Sequence, residues 1–150
     1  MTHQKKEYLD SCYNILAERK NQLQQELEKV QASFAMETKS SAGDKYETSR
    51  EMISQEKNKI YARLAEIEKQ EQALSMINAD SSNKEIKLGS LVRTDKTVYF
   101  ISISLGKVKV DTSEILAISP VSPLAQSLLG KKKGDSITFL GQIHQIVSVE

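Results

Sequence analysis

The sequence lacks tryptophan, has one cysteine and two prolines, and only 5% of its residues are aromatic. A single cysteine, Cys12, excludes an internal disulfide bond and any metal site built from several cysteines. Because aromatic residues are so few, a large globular core is disfavoured. A pair of long helices that buries a narrow stripe fits the 27% of charged residues better. Cys12 lies on such a stripe, and we expect it to be a packing residue.

Long apolar runs are also missing. No run approaches the ~18 residues of a membrane span, and the N-terminus has no apolar core of a signal peptide. The net charge is only +1, which gives no reason to expect direct binding to duplex nucleic acid. The charge is uneven, however. Residues 81–150 carry nine basic and six acidic side chains (+3), whereas residues 1–80 carry twelve and fourteen (−2). We expect a cytoplasmic protein with no membrane partner.

Residues 5–37 contain neither proline nor glycine and are rich in good helix formers. Their apolar side chains recur every three or four positions, with Arg19 filling one gap: Tyr8, Cys12, Ile15, Leu23, Leu27, Val30 and Phe34. This spacing predicts a long helix with a narrow apolar stripe. The following residues, 38–43, have no large apolar side chain and end in glycine, so they predict a short connection.

A second long helix is predicted to end near Asn78. Asp44, followed three residues later by Glu47, forms a capping-box pattern at its start. Apolar residues then repeat every seven positions: Ile53, Ile60, Ile67 and Leu74, with Leu64 on the same face. Two helices of about 50 Å joined by so short a connection must run antiparallel. We therefore predict a coiled-coil hairpin over residues 1–79, with its tip at about 37–46.

The remaining sequence predicts a small β-domain. Residues 80–85 are polar and predict a linker, and short runs rich in β-branched residues follow from residue 86 to residue 150. Ser122 and Pro123 are an N-cap and first helical residue, and Leu124, Leu128 and Leu129 share one face of the short helix that follows. Gly141 predicts a tight turn in a final hairpin. The expected fold class is α+β.

The order of residues from Ser122 to Asp135, S-P-L-A-x-x-L-L-G-K-x-x-G-D, closely resembles the signature of the bacterial GreA/GreB transcript cleavage factors. Two other segments are similar to that family: Tyr46, Arg50 and Glu51 as Y-x-x-x-R-E, and I-K-L-G-S from Ile86. The resemblance implies an N-terminal coiled coil that enters the secondary channel of RNA polymerase. It also implies an FKBP-like C-terminal domain that docks at the channel mouth. An aromatic-lined proline pocket is not evident, so prolyl isomerase activity is not expected.

The sequence departs from the family at the tip. In the family, two tip carboxylates in a D-x-x-E pattern hold a catalytic Mg²⁺, which requires hard oxygen ligands. Aligned on Tyr46, this pattern falls on residues without a carboxylate: Lys39, Ser40, Ser41 and Ala42, followed by Gly43. Glu37 and Asp44 are the nearest acidic residues. They are candidate tip carboxylates, or else a solvated helix end and a helix cap. No metal site is expected.

By position, Ser122 and Pro123 correspond to part of the family's polymerase contact, although some members have an aspartate where this chain has Val121. Lys131, Lys132 and Lys133 are either a solvated helix end favoured by the helix dipole or a contact to an acidic polymerase surface or to nucleic acid.

These observations predict a Gre-like elongation factor that binds RNA polymerase and modulates elongation or pausing, with weak or no transcript cleavage. It would be a monomer without a cofactor, would meet nucleic acid only through the polymerase complex, and would at most stimulate the polymerase's own Mg-dependent cleavage. One alternative is a coiled-coil assembly or adaptor protein whose β-domain binds another protein. A third hypothesis is an active cleavage factor that uses Glu37 and Asp44.

Overall fold

The computed structural model describes the backbone of residues 2–37 and 43–150 and the side chains of residues 4–36 and 47–150. Two long helices come first, and six strands with one short helix follow. The elements are α1 (Thr2–Glu37), α2 (Gly43–Ser75), β1 (Leu91–Thr94), β2 (Val98–Ile101), β3 (Gly106–Val110), β4 (Ser113–Ile118), α3 (Pro123–Leu128), β5 (Ser136–Phe139) and β6 (Gln142–Val149). The predicted α+β fold class is confirmed. Neither long helix, over its described residues, contains a segment apolar enough to span a bilayer.

The chain forms two compact units. One, the helical unit, consists of Ile15–Gln70, and the other, the sheet unit, consists of Met1–Asn14 together with Glu71–Glu150. The segment predicted as a linker, residues 80–85, belongs to the sheet unit. Within that segment Asn83 is buried, and its amide donates a hydrogen bond to Ser90 Oγ at 3.3 Å. The domain limits derived from the sequence stay a prediction.

In the helical unit the apolar stripes of the two helices meet. Ile60 and Ile67 of α2 and Leu23 of α1 are buried, as the heptad pattern predicts. Leu23 and Ile67 line one groove of about 340 Å³, and Phe34 lies against Lys57. Later residues of α1 therefore meet earlier residues of α2, which confirms that the two helices run antiparallel.

The sheet has the strand order β3-β4-β2-β1-β6-β5. Every neighbouring pair is antiparallel except β2 and β4, which are parallel. Two parallel strands need a crossover connection between them. Here β3 is part of that connection, and it pairs with the edge of β4 that faces away from β2. One face of the sheet packs on α3 and forms a core of Ile86, Val92, Tyr99, Ile101, Ala125, Leu128, Ile137 and Ile146.

The opposite face of β1 and β2 is buried too. Leu91 and Phe100 are paired across the two strands, and both are fully buried although neither faces α3. On the same face, Arg93 donates a hydrogen bond to Gln4 of α1. The first turns of α1 therefore cover this face of the sheet. For this reason their buried residues include Lys5 and Leu9, which the apolar stripe does not predict.

Lys5 is only 1% exposed. Its ammonium donates to the carbonyl oxygen of Ser81 at 2.9 Å and to that of Glu150 at 3.5 Å. Burial lowers the pKa of Lys5 because the charged form loses its hydration; the charge of Glu150 opposes this shift and that of Lys87 adds to it. The ammonium thus joins α1, the segment after α2 and the end of β6.

The lowered pKa makes the contribution of Lys5 to stability depend on pH. Between its folded pKa and the unfolded value of 10.5, the folded chain holds fewer protons than the unfolded chain, so the free energy of unfolding rises with pH. The free energy of unfolding of the wild type minus that of Lys5→Met should therefore rise as the pH is raised from neutral toward 10.5. Urea unfolding at several pH values measures this difference. Lys6→Met, at the exposed neighbouring position, is the control for the loss of a lysine. A difference for Lys5→Met that does not change with pH would contradict the assignment.

Cys12 should be inert in the folded chain. Its side chain is fully buried, and burial raises the pKa of the thiol to about 11, with the hydrogen bond to Ser102 opposing the shift. Because the thiolate is the form that attacks thiol reagents, an aromatic disulfide reagent should modify Cys12 only as urea unfolds the chain. Modification without urea at the rate measured for the unfolded chain would show that Cys12 is accessible.

Candidate functional site

The start of α3 is a capped helix end. Ser122 Oγ accepts a hydrogen bond from the backbone N–H of Ala125 at 3.3 Å and donates one to the carbonyl of Ser119 at 2.8 Å. Pro123 occupies the first helical position, where its missing N–H leaves no group unpaired. The predicted cap is confirmed. The Ser122 hydroxyl is thus engaged in folding, whereas the ring of Pro123 and the side chain of Val121 are exposed.

The end of α3 is a pair of turns. Gly130 has φ 82°, a left-handed value, and its N–H donates to the carbonyl of Ile86 at 2.9 Å. Asp135 Oδ2 accepts from the backbone N–H of Lys132 at 2.9 Å and closes the second turn. Most residues that resemble the Gre signature therefore have a role in folding: they cap the helix, pack its buried face or close its turns.

The three lysines after α3 differ in their surroundings. All three are exposed, but Lys132 forms a β-bridge with Glu85 and an ion pair with it at 3.5 Å. Lys132 and Lys133 also line a cleft of about 460 Å³, with Ser82, Asn83, Lys84, Ser148, Val149 and Glu150. Lys132 is therefore partly structural, while Lys131 and Lys133 have no ion pair among the described residues. The charges of Lys131 and Lys133 could therefore pair with acidic groups of a partner.

The predicted polymerase-binding residues form two groups. Ser122 and Pro123 lie at the start of α3 and the lysines beyond its end, separated by about 9 Å of helix. A surface that includes both groups would have to extend along α3. Gln126, exposed on this helix, donates from its side-chain amide to the carbonyl of Pro120 at 2.7 Å and fixes the loop before Ser122.

The end of the helical unit near the predicted tip carries a cluster that the sequence analysis missed. The guanidinium of Arg50 lies 6.0 Å and the ammonium of Lys57 5.2 Å from the centre of the Phe34 ring. Two such cation–π contacts near the surface contribute about 0.5–1 kcal/mol each. Arg50 and Lys57 are seven residues apart and share a helix face, a signal that would have linked them. Arg50 and Glu51 are both exposed.

The tip itself falls outside the described side chains. This applies to Glu37, Lys39, Ser40, Ser41, Ala42, Gly43, Asp44 and Tyr46. The backbone of α2 begins at Gly43, one residue before Asp44, which was predicted to cap it. The roles assigned to Glu37 and Asp44 from the sequence stay predictions.

No protein-family model and no curated protein matches this chain. Among solved structures, one described as the GreA factor homolog 1 (Gfh1) protein of Thermus thermophilus is similar at 24% identity, over 87% of this chain and 94% of that chain, with a TM-score of 0.35. Another, described as the transcription factor Gfh1, is similar at 24% identity over 92% of both chains, also with a TM-score of 0.35.

Removing the cap should weaken the fold without touching the core. Ser122→Ala deletes the acceptor for the Ala125 N–H and should lower the free energy of unfolding by about 0.5–2 kcal/mol. Ser122→Asp retains an acceptor and should stay close to the wild type. The control is Ser127→Ala in the same helix, whose hydroxyl bonds only the Pro123 carbonyl, and which should change stability by less than about 0.5 kcal/mol. Equal losses at both positions, measured by urea unfolding, would contradict a capping role.

Proposed function

We propose that this chain is a Gre-like transcription elongation factor that binds RNA polymerase. The helical hairpin enters the secondary channel and modulates elongation or pausing, and the sheet unit anchors the protein through the start of α3. The chain has no catalytic activity of its own and at most stimulates the polymerase's Mg-dependent transcript cleavage. It acts as a cytoplasmic monomer and meets nucleic acid only in the polymerase complex.

The observation that carries the proposal is the segment from Ser122 to Asp135. Its residues resemble the Gre signature in order, and they build a capped helix that leaves Val121 and Pro123 exposed at its start. The long helical hairpin precedes it along the chain, as the resemblance requires. Val121 is 81% exposed and apolar where some family members have an aspartate. We infer that docking here depends on apolar contact at Val121 and Pro123.

The proposal of weak or absent cleavage rests on the side chains that the tip offers as metal ligands. The positions aligned with the family's D-x-x-E, from Lys39 to Ala42, contain an ammonium, two hydroxyls and a methyl group. Mg²⁺ binds carboxylate oxygens in such sites, and a lysine ammonium repels it. These residues do not fit the metal.

The alternative, an assembly or adaptor protein, needs an apolar surface for a partner. Over the described residues of the helical unit, the stripe formed by Leu23, Ile60 and Ile67 is already buried between the two helices. The large apolar residues that are exposed there, Met36, Met52 and Tyr61, lie on different helices or nine positions apart, which is not the spacing of an apolar stripe. This distribution favours a monomeric working arm over a self-assembling coil.

Transcript cleavage in backtracked complexes of the cognate RNA polymerase tests the proposal, with binding followed in the same reaction. We expect the wild type to bind, to cleave little or nothing, and to compete with a true cleavage factor. Lys39→Asp with Ala42→Glu restores the D-x-x-E pattern and should increase cleavage at least about tenfold, because it supplies two oxygen ligands for Mg²⁺. Lys39→Ala with Ala42→Gln is the matched control and should leave cleavage unchanged.

Other results would redirect the assignment. Cleavage by the wild type that Asp44→Ala abolishes would support an active factor that uses Glu37 and Asp44. Absence of polymerase binding would contradict the proposal and favour the assembly protein, which sedimentation would then detect as an oligomer.

A further inference from the structure

The two edge strands of the sheet are protected differently. β3 carries Lys107 and Lys109, which are exposed and lie 3.9 and 3.6 Å from the carboxylate oxygens of Glu114. Lysines on an edge strand hinder pairing with another chain. β5, at the opposite edge, reads Ser-Ile-Thr-Phe and carries no charge at all. The β5 edge therefore lacks the charged side chains that protect β3.

The final hairpin determines which backbone groups of β5 face this edge. Leu140 and Gly141 form its two-residue turn, and both have left-handed φ values, 49° and 77°. In such a hairpin the flanking pair, here Phe139 and Gln142, exchanges both backbone hydrogen bonds, and bonded and non-bonded pairs then alternate. Position 138 is consequently a non-bonded position, whose N–H and C=O point away from β6.

The hydrogen bonds of β6 support this alternation. Ser136 pairs with Gln145, and the backbone of Gln145 bonds Asp95 instead: its N–H donates to Asp95 Oδ1 at 2.8 Å and its carbonyl accepts from the Asp95 N–H at 3.0 Å. Gln145 thus faces away from β5, as a non-bonded position must. Ser136 and Thr138 likewise direct their N–H and C=O to the free edge, where no hydrogen bond to them is found within the described residues.

Apolar side chains lie beside this edge. Thr138 is exposed, and Ile143, directly opposite it on the same face, is 65% exposed. Leu140 at the adjoining turn is 87% exposed. A strand added next to β5 would therefore find both unpaired backbone groups and apolar surface for its alternate side chains.

The charge near the edge selects the kind of partner. Lys131 and Lys133 are exposed and precede Ser136 by five and three residues. The acidic residue between them and β5, Asp135, accepts a hydrogen bond from the Lys132 N–H, and the segment that leads into β5 keeps a net positive charge. An acidic strand complements this charge. A second copy of this chain would offer its own uncharged β5, which brings no acidic group to these lysines.

We propose that the free edge of β5 is a docking site for an extended, acidic segment of another protein, which adds a seventh strand to the sheet. The segment runs antiparallel to β5, the slightly more stable arrangement, with its acidic C-terminal end beside Lys131 and Lys133. Backbone hydrogen bonds to Ser136 and Thr138 hold it, and its alternate apolar side chains pack near Ile143. This surface is separate from the capped start of α3, and the proposal does not rest on polymerase binding.

The test uses the full chain and the peptide Val-Thr-Val-Thr-Val-Glu-Glu-Glu with a fluorophore at its N-terminus. Binding is measured by fluorescence anisotropy. Thr138→Pro removes one outward N–H but no bond of the β5–β6 ladder, and should weaken binding about tenfold. Lys131→Glu with Lys133→Glu should also weaken binding several-fold. Lys109→Glu, on the other edge strand, is the matched control and should leave binding unchanged.

Hydrogen exchange of the backbone amides gives a second readout that does not depend on a variant. The N–H groups of Ser136 and Thr138 should exchange more slowly when the peptide is bound. No binding at millimolar concentration, or equal binding by Thr138→Pro, would overturn the proposal. A dimer of the chain alone that Thr138→Pro dissociates would show that a second copy occupies the edge, and would overturn it too.

Discussion

Burial of both faces of β1 and β2 is the constraint on which the rest of the sheet unit depends. Val92 and Tyr99 face α3, while Leu91 and Phe100 face the other way and are equally buried. One short helix can cover only one face of this sheet, so another part of the chain must cover the second face. Residues at the start of α1 cover it, as the hydrogen bond between Arg93 and Gln4 shows. The first turns of α1 therefore belong physically to the sheet.

Lys5 shows how closely these segments are joined. A buried ammonium is costly unless its N–H groups are bonded, and here both acceptors are backbone carbonyls, those of Ser81 and Glu150. The charge of Glu150 offsets only part of the lost hydration, so burial still lowers the pKa of Lys5. The residue gives α1 a directional contact with two other segments that apolar packing alone would not supply. A methionine could fill the same space but would leave both carbonyls without this donor.

Sequence reasoning succeeded where a single local pattern accounts for the contacts of a segment. The heptad of α2 predicted the burial of Ile60, Ile67 and Leu74, and the Ser-Pro pattern predicted the cap of α3. It failed where a segment also packs against a second part of the chain that is distant in sequence. Lys5 is polar and off the apolar stripe, so nothing local marks it as buried. The parallel pairing of β2 with β4 is equally hidden, because alternation shows that a strand is half-buried but not which strand lies beside it.

The same distinction applies to the segment from Ser122 to Asp135, the strongest functional signal in the sequence. Ser122 caps a helix, Leu128 packs in the core, and Gly130 adopts a left-handed conformation, so folding alone accounts for much of the pattern. What folding does not explain is the exposure of Val121 and Pro123 next to the cap. An exposed valine has no structural role there, since the cap would form equally well with a polar residue. If the segment binds a partner, discrimination between partners should therefore arise at Val121 and Pro123, while the other residues hold these two in place.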